Sequence, residues 1–343
     1  MARRGAETAD LADVLEGGCV HIGIGNVLGV RLAECLDAAA HGTDVTPGTG
    51  TQMCRGRASL PRREETTLLA MTSSADFTLD RDLGAVRLYR RGAAAKLELH
   101  RPERLNAWNE ELGLALRDSV LGLAGDSSVR AVLITGAGRA FSSGADLRDG
   151  SAQTPEGRPD VYKVLTERYH PIITGIRSMP KPVVAAVNGA AAGIGLSLAL
   201  SCDLVVAAES AYFLLAFVNI GLVPDGGSSL LVPTRIGFAR AAELALLGER
   251  LASHQALYWG LINRVWPDEE LAQRAEDLVW RLANGPTRSY AGTKRQLNAW
   301  LYGRMDEQLE LEAQVQREMA GSSDFAEGVA AFAEKRSPVF TGE

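Results

Sequence analysis

The sequence predicts an α/β protein in which a sheet core is followed by a helical C-terminal portion. PVVAAV at residues 182–187 and DLVVAA at residues 203–208 are almost unbroken apolar runs. Such runs are typical of strands that are covered on both faces. After about residue 228 the apolar pattern is helical throughout, which predicts helices behind the sheet. The breaks expected in this helical pattern are Gly237, Gly248, Gly260 and residues 284–286.

Three earlier strands complete the predicted sheet. AVRLY at residues 85–89 and AKLELH at residues 95–100 flank RRGAA, which is typical of a hairpin. The polar residues 71–84 are interpreted as a lead into this hairpin. Residues 109–125 have helical spacing, and VRAVLIT at residues 129–135 predicts the third strand.

The composition limits the classes of function. With 343 residues and 46% apolar content, the chain can form one large domain or two ordinary ones with a buried core. A net charge of −6 and a pI near 5.6 argue against a nucleic-acid partner and favour small molecules. Cys19, Cys35, Cys54 and Cys202 lack paired spacing, so neither a metal site nor a disulfide framework is expected. A reducing cytoplasm is the expected location.

Residues 183–202 are long and apolar enough to be considered as a membrane span. Pro182 precedes them, residues 188–189 are Asn-Gly, and Asp203 follows, which favours a buried strand, a turn and a buried helix. The charged start and apolar run of a secretory leader are not recognisable in the sequence either. We therefore expect no membrane association.

Residues 1–75 differ in composition from the rest, because they hold three of the four cysteines and several Gly- and Pro-rich runs. We interpret them as an N-terminal extension that is either poorly ordered or an artefact of the gene start, with Met71 as the natural start. Gly23, Gly25 and Gly29 follow an apolar run, as in a dinucleotide-binding loop. No second strand follows at the distance of a βαβ unit, so a structural role is favoured for these glycines.

Two loops lead from a strand through glycines into a helical pattern. They are TGAGRAFSSGADL at residues 135–147 and VNGAAAGIGLSLAL at residues 187–200. A helix that starts in this way presents unpaired backbone N–H groups, which bind negative charge. Two such turns facing each other would form an oxyanion hole. The alternative is that the glycines only allow close packing of helix on sheet.

Asp225 lies in a Pro-Asp-Gly-Gly turn after an apolar run. Asp is a favoured turn residue there, and its side chain could cap the helix that begins near Ser228. The alternative is proton transfer, since the apolar neighbours at residues 217–223 would raise the pKa of this carboxyl group above its usual range. The residues alone favour capping.

Several segments together resemble the crotonase family, also called the enoyl-CoA hydratase/isomerase superfamily. They are HRPERLNAWN at residues 100–109, RAFSSGADL at 139–147, KPVVAAVNGAAAGIGLSLALSCD at 181–203, FLLAFVNIGLVPDGG at 213–227 and DFAEGVAAFAEKRSPVF at 324–340. Their order and spacing match, and the resemblance covers about residues 76–340. It implies a spiral of ββα repeats over residues 76–284 and a helical trimerisation region over residues 285–343, assembled as homotrimers or hexamers.

The resemblance also implies a substrate and a site. Coenzyme A is expected as part of an acyl-CoA thioester substrate, without a prosthetic group or metal. The thioester oxygen is expected between the backbone N–H groups of Ala145 and Ile194. The family commonly has Gly at the second of these positions. The residues expected to contact CoA are Arg104, Leu105, Ala107, Ser143, Ala145, Phe332 and Lys335.

Hydratases of this family use two glutamates, and the corresponding positions here hold Ser197 and Phe217, which are expected to line the acyl pocket. Neither side chain can act as a general base near neutral pH, so hydration by the usual route is disfavoured. Asp225 instead matches the aspartate of the isomerase branches, and its surroundings are similar to the 1,2-epoxyphenylacetyl-CoA isomerase branch. With this position added, proton transfer is favoured over capping.

We therefore predict an enoyl-CoA isomerase that shifts a double bond from the 3- to the 2-position with Asp225 as the proton carrier. The alternatives are a hydratase, a ring-epoxide isomerase acting on a phenylacetyl-CoA, and a family member that binds acyl-CoA without turnover. Asp146 is interpreted as a turn or cap residue, His170 as structural, and Asn219 and Tyr212 as pocket-lining or strand-end residues. Residues 148–165 are expected to form a lid or a wall of the acyl pocket.

Overall fold

The computed structural model describes residues 76–148, 153–155, 157 and 159–343. The N-terminal extension, its glycine motif and three of the cysteines lie outside the described residues. Within the described part, no helix combines the length and apolarity that crossing a membrane requires.

The strands, in chain order, are short, and the last of them ends at Trp266. They are β1 (Thr78–Asp82), β2 (Val86–Arg91), β3 (Ala94–Leu99), β4 (Ala131–Gly136), β5 (Ala140–Ser142), β6 (Val183–Val187), β7 (Ala190–Ala192), β8 (Leu204–Ala208), β9 (Tyr212–Leu214), β10 (Leu251–Ala252) and β11 (Arg264–Trp266).

The helices dominate the second half of the chain. They are α1 (Glu110–Gly125), α2 (Val161–Val164), α3 (His170–Ser178), α4 (Ile194–Ser201), α5 (Ser228–Ile236), α6 (Phe238–Leu247), α7 (Ser253–Trp259), α8 (Asp268–Ala283), α9 (Thr287–Leu301), α10 (Met305–Met319) and α11 (Ser323–Glu334). A π-helical turn, Leu165–Tyr169, joins α2 to α3, and short 3₁₀ turns occur at Pro102–Arg104 and Val218–Ile220.

Two sheets are built from repeated strand–strand–helix units. The larger sheet has the order β1-β2-β3-β4-β6-β8-β11, and the smaller one has the order β10-β9-β7-β5. The first strands of successive units, β4, β6 and β8, pair in parallel in the larger sheet, while β5, β7 and β9 pair in parallel in the smaller one. Each unit therefore advances one step in both sheets, which is the predicted spiral.

The predicted strands and helix breaks are confirmed with two differences. The polar lead contains β1, which pairs antiparallel with β2 although every residue of it is exposed. An exposed edge strand has no apolar alternation, so the pattern could not reveal it. Also, the region after residue 228 is not helical throughout, because β10 and β11 interrupt it. With two and three residues, these strands are too short to show a period.

The core lies between the larger sheet and its helices. Helix α8 packs on β3, β4, β6 and β8, whereas α1 packs on β2, β3 and α3. All residues of β6 and of α4 are buried, as the interpretation of residues 183–202 as strand, turn and helix requires. The small Val and Ala side chains of β4, β6 and β8 allow helices to approach on both faces.

Helix α9 is fixed to the end of this sheet by a buried ionic group. The Lys294 ammonium donates to the Asp203 carboxylate over 2.8 Å and to the Ile176 carbonyl over 2.7 Å. Arg177 donates to the other carboxylate oxygen over 3.2 Å. Because both cations share one carboxylate and also bond carbonyl oxygens, these buried charges are compensated.

Candidate active site

The two glycine loops lie side by side at the ends of β5 and β7. A Cβ atom placed on Gly144 would lie 3.1 Å from the Ala192 carbonyl oxygen, and one on Gly193 would lie 3.8 Å from the Cα atom of Gly144. Both glycines have positive φ, 99° and 52°, which side chains rarely adopt. The parallel pairing of β5 with β7 thus brings the predicted oxyanion loops together.

Ala145 lies beside the segment that contains Trp108. It forms an isolated parallel bridge with Trp108, in which Trp108 N–H donates to the Gly144 carbonyl over 2.8 Å and Asp146 N–H donates to the Trp108 carbonyl over 3.0 Å. Both bonds are made by the neighbours of Ala145. Because successive peptide groups of an extended chain point in opposite directions, we expect the Ala145 N–H to face the other side, as the predicted oxyanion role requires.

Ile194 begins α4, so its N–H has no partner within the helix. Its side chain is 2% exposed, and a Cβ atom on Gly226 would overlap it. The Ile194 side chain therefore packs against the turn that holds Asp225, which accounts for a large residue at a position commonly occupied by Gly. One residue thus links the second expected oxyanion donor to the predicted proton carrier.

Asp225 is buried and only partly paired. Its Oδ2 accepts a hydrogen bond from Gln316 Nε2 over 2.8 Å, while its Oδ1 has no partner among the described residues. Burial, with the nearby Glu312 adding to it, raises the pKa of Asp225 to about 7. A carboxyl group with this proton affinity can both accept and return a proton near neutral pH.

The Asp225 side chain does not cap the helix that follows. Its carbonyl oxygen holds the turn, because it accepts from Ser197 Oγ and Ser228 Oγ, each over 2.8 Å. The start of α5 instead receives the carboxylate of Glu312, which accepts from Gly227 N–H over 2.7 Å and Ser229 N–H over 3.0 Å. The capping interpretation of Asp225 is therefore wrong.

Glu312 and Gln316 are site residues that the sequence analysis missed. Both lie on the buried face of α10, where the apolar members are Met305, Leu309 and Ala313. The signal was present, since a carboxylate and an amide occupy positions of helical period that are otherwise apolar. Burial and the loss of hydration raise the pKa of Glu312 to about 7 as well.

The two positions expected in the acyl pocket are both buried. The Phe217 ring lies 3.8 Å from the position of a Cβ atom on Gly193, so it borders the oxyanion loop. The Ser197 hydroxyl is bonded to the Asp225 carbonyl, which makes Ser197 a support for the turn. Neither position carries a carboxylate.

The residues expected to contact CoA form two groups. Leu105 and Ser143 are in contact, because the Ser143 N–H donates to the Leu105 carbonyl over 2.9 Å. Ala107 and Ala145 lie two residues further along the same two segments. Arg104 is exposed at the end of the 3₁₀ turn beside them. Phe332 and Lys335 lie at the exposed end of α11, which packs on Val218–Ile220. Their contact with CoA remains a prediction.

The weaker candidates have structural contacts. Asp146 forms an ion pair with Arg101 at 3.1 Å and accepts from Arg148 N–H over 3.3 Å, as a turn residue would. Asn219 donates to the Gly248 carbonyl over 2.9 Å, and the Tyr212 ring lies under Arg250. Burial lowers the pKa of His170 to about 4, so its imidazole is neutral near pH 7.

The predicted lid lies partly outside the described residues. Its described helix, α2, packs on α10, and the Tyr162 hydroxyl donates to the Glu310 carboxylate over 3.0 Å. Helix α10 thus contacts this segment with one face and the Asp225 turn with another.

Several known proteins and one family model are similar to this chain. Residues 90–343 match the family model described as enoyl-CoA hydratase/isomerase. A 1,2-epoxyphenylacetyl-CoA isomerase from Escherichia coli (strain K12) is 44% identical over 247 residues, which cover 72% of this chain and 94% of that relative.

Two solved structures extend this comparison. An enoyl-CoA hydratase from Mycobacterium avium subsp. paratuberculosis K-10 has a TM-score of 0.69 and 37% identity, and covers 76% of this chain and 100% of its own. A monofunctional enoyl-CoA isomerase from M. smegmatis has a TM-score of 0.54 and 36% identity, and covers 63% of this chain and 93% of its own. The chain therefore belongs to the enoyl-CoA hydratase/isomerase family, which acts on acyl-CoA thioesters.

Proposed function

We propose that this enzyme is an isomerase that converts a 3-enoyl-CoA into a 2-enoyl-CoA, with Asp225 as the proton carrier. The observation that carries the proposal is the buried carboxyl group of Asp225 with one unpaired oxygen, in a turn that packs against Ile194, whose N–H begins α4. The two positions that hold glutamates in hydratases are Ser197 and Phe217 here, and neither side chain can ionise near neutral pH.

The reaction needs one acid–base group and one oxyanion site. The ionised Asp225 takes a proton from carbon 2, and the electrons move into the thioester oxygen to give a dienolate. The N–H groups of Ala145 and Ile194 hold this oxygen as its charge develops. Protonated Asp225 then returns the proton at carbon 4, and the double bond lies between carbons 2 and 3. Coenzyme A belongs to the substrate, so the proposed reaction needs no prosthetic group.

Turnover of 3-hexenoyl-CoA by the wild type and by Asp225→Asn tests this proposal. The product is conjugated, so its absorbance reports the reaction. Because the amide cannot accept the proton, we expect the variant to lose roughly a hundredfold or more in kcat and to keep its affinity for the thioester. Asp146→Asn, a change of the same kind in a turn residue, is expected to keep most of its activity. An inactive wild type, or an Asp225→Asn variant as fast as the wild type, would contradict the proposal.

A second candidate is isomerisation of a ring-epoxide phenylacetyl-CoA. The similarity at 44% identity to a 1,2-epoxyphenylacetyl-CoA isomerase over nearly its whole length supports it. The same two variants, supplied with that substrate and followed by product analysis, separate the candidates: turnover of the epoxide without turnover of 3-hexenoyl-CoA favours the second. Hydration of crotonyl-CoA that depends on Asp225 would instead favour a hydratase.

We also propose that the enzyme assembles as a homotrimer or a hexamer. The outer face of α9 supports this, because Leu297 and Trp300 are 52% and 86% exposed there. Large exposed apolar side chains that lie close together are typical of subunit contacts.

A further inference from the structure

Asp225 and Glu312 are two buried carboxyl groups that meet at the same turn. Asp225 is 6% exposed and Glu312 is 3% exposed. Glu312 accepts from the backbone of Gly227 and Ser229, which lie two and four residues after Asp225. Gln316 donates to the Asp225 carboxyl group. We propose that Glu312 and Gln316 are positioning residues that determine which oxygen of Asp225 carries the proton and how firmly it is held. This inference rests on the proposed function, in which Asp225 is the proton carrier.

Gln316 fixes the orientation of the Asp225 carboxyl group. Its Oε1 accepts from Val223 N–H over 3.1 Å, so its amide group can turn only its Nε2 towards Asp225. That nitrogen donates to Oδ2 over 2.8 Å. An oxygen that accepts such a bond is a poor site for a proton, which leaves Oδ1 as the atom that takes and returns it.

Glu312 places a second ionisable carboxyl group beside Asp225. Its carboxylate accepts from the N–H groups of Gly227 and Ser229 and from the Ser229 hydroxyl, at the N-terminal end of α5. These donors and the helix dipole stabilise its ionised form. The Asp225 carboxylate accepts from one donor only. Ionised Glu312 disfavours ionisation of Asp225, because two like charges would then lie at one buried turn.

The other elements around the turn supply no comparable charge. Helix α4 contributes Ile194 and Ser197 and has no charged residue. On α5, the Arg235 guanidinium is engaged by the Leu200 carbonyl at 2.6 Å and by other backbone oxygens. On α10, Glu310 is bonded to Tyr162, and on α3 the neutral His170 adds none. Burial is the main cause of the raised pKa of Asp225, and Glu312 is the charge that adds to it.

The two positioning residues therefore act in opposite directions. The charge of Glu312 raises the proton affinity of Asp225, whereas the hydrogen bond from Gln316 lowers it. If both residues had a merely structural role, replacing them would not shift the pKa of Asp225 in opposite directions. The sign of the two shifts therefore tests the inference.

The test is the pH profile of kcat/KM for 3-hexenoyl-CoA. The reaction needs ionised Asp225 in the free enzyme, so the activity rises with pH through its pKa. In Glu312→Gln the like charge is gone, and we expect the midpoint of this rise to fall by about one pH unit. In Gln316→Met the hydrogen bond to the ionised form is gone, and we expect the midpoint to rise by about one unit.

Matched variants on the same helix control for general effects. Glu318→Gln and Gln314→Met make the same two changes at exposed positions of α10 and should leave the profile unchanged. Shifts of both site variants in one direction, or lower activity with an unmoved midpoint, would overturn the inference. If Glu312→Gln does not fold, Gln316→Met decides alone, and an unmoved or lowered midpoint overturns it.

A second measurement separates this inference from the proposed reaction. The infrared C=O band of protonated carboxyl groups, titrated in the protein without substrate and compared with Asp225→Asn, reports the proton affinity without turnover. The wild-type pair should titrate in two coupled steps near neutral pH. Opposite shifts of the Asp225 band in Glu312→Gln and Gln316→Met support the positioning roles of Glu312 and Gln316 even if 3-hexenoyl-CoA is not a substrate. Unshifted bands in an active enzyme would refute these positioning roles without contradicting the proposed reaction.

Discussion

At the scale of single residues, the site depends on a carboxyl group that is buried at a cost to the fold. Asp225 has a pKa of about 7 in the folded protein, against 3.8 for an ordinary aspartate. Between these values the folded protein holds a proton that the unfolded chain has released. Linkage then requires the free energy of unfolding to decrease as the pH rises from about 4 to about 7.

This linkage gives a prediction for stability. Asp225→Asn removes the titrating group, so at pH 8 the variant should be more stable than the wild type by about 1–3 kcal/mol, with little difference at pH 4. Urea unfolding at the two pH values measures this difference. A variant that is equally destabilised at both pH values would show that Asp225 contributes to the fold and is not a strained functional group.

Ile194 illustrates how one residue serves two tasks. Its backbone belongs to the expected oxyanion site, while its side chain fills the space beside Gly226. Since the donor is main chain, the replacement of a common Gly by Ile leaves the N–H in place. The effect of the side chain falls on the turn that holds Asp225, where it packs beside Gly226.

At the scale of elements, the strand–loop–helix connection of β7 and α4 orients the N–H of Ile194, the second proposed oxyanion donor. Gly193 lies at its junction with φ 52° and ψ −127°, a conformation that is accessible to Gly and strained for other residues. Space is not the obstacle, because an added Cβ atom would meet its nearest neighbours at 3.8 Å.

Gly193→Ala should therefore move the backbone rather than create a clash. We expect kcat for 3-hexenoyl-CoA to decrease by roughly a hundredfold, because the Ile194 N–H is displaced from the thioester oxygen. Gly122→Ala in α1, where an added Cβ atom has open space and φ is helical, is the matched control and should keep full activity. A Gly193→Ala variant with normal kcat would exclude the Ile194 N–H as the donor.

Helix α10 connects regions that lie far apart in the sequence. Its inner face bonds the Asp225 turn, and Glu310 bonds Tyr162 in the segment that was predicted as a lid. The ring of Tyr162 also lies 5.0 Å from the Arg317 guanidinium. The element that bonds Asp225 therefore also supports the start of α2.

At the scale of the whole molecule, the parallel strand pairs within the two sheets bring successive repeats into register and so place the residues of the candidate site together. Strand β5 follows β4 and strand β7 follows β6, so the parallel β5–β7 pair sets one glycine loop against the other. The proposed trimer or hexamer predicts a solution mass of three or six times that of the 36.6 kDa chain.

Light scattering after size-exclusion chromatography measures this mass. Trp300→Glu should weaken the assembly if α9 lies between subunits, because a charge would be buried there. Leu121→Glu, at a 49% exposed position of α1, is the control and should leave the mass unchanged. A wild-type protein with the mass of one chain would contradict the proposed assembly.

The sequence by itself determined the features that depend on neighbouring residues. Apolar runs gave β4, β6 and β8, glycines gave the ends of α5, α6 and α7, and family motifs pointed to Ala145, Ile194 and Asp225. These features are local, because a strand, a helix end or a turn follows from the side chains within a few positions.

The tertiary structure alone decided what surrounds Asp225. Glu312 bonds Gly227 across 85 positions of sequence, and Gln316 bonds Asp225 across 91. Helical spacing marks Glu312 and Gln316 as members of a buried face, but a period carries no information about which surface that face meets. The docking of α10 on α5 makes this choice, and so it decides that Glu312 caps the helix and that Oδ1 of Asp225 is left without a partner among the described residues.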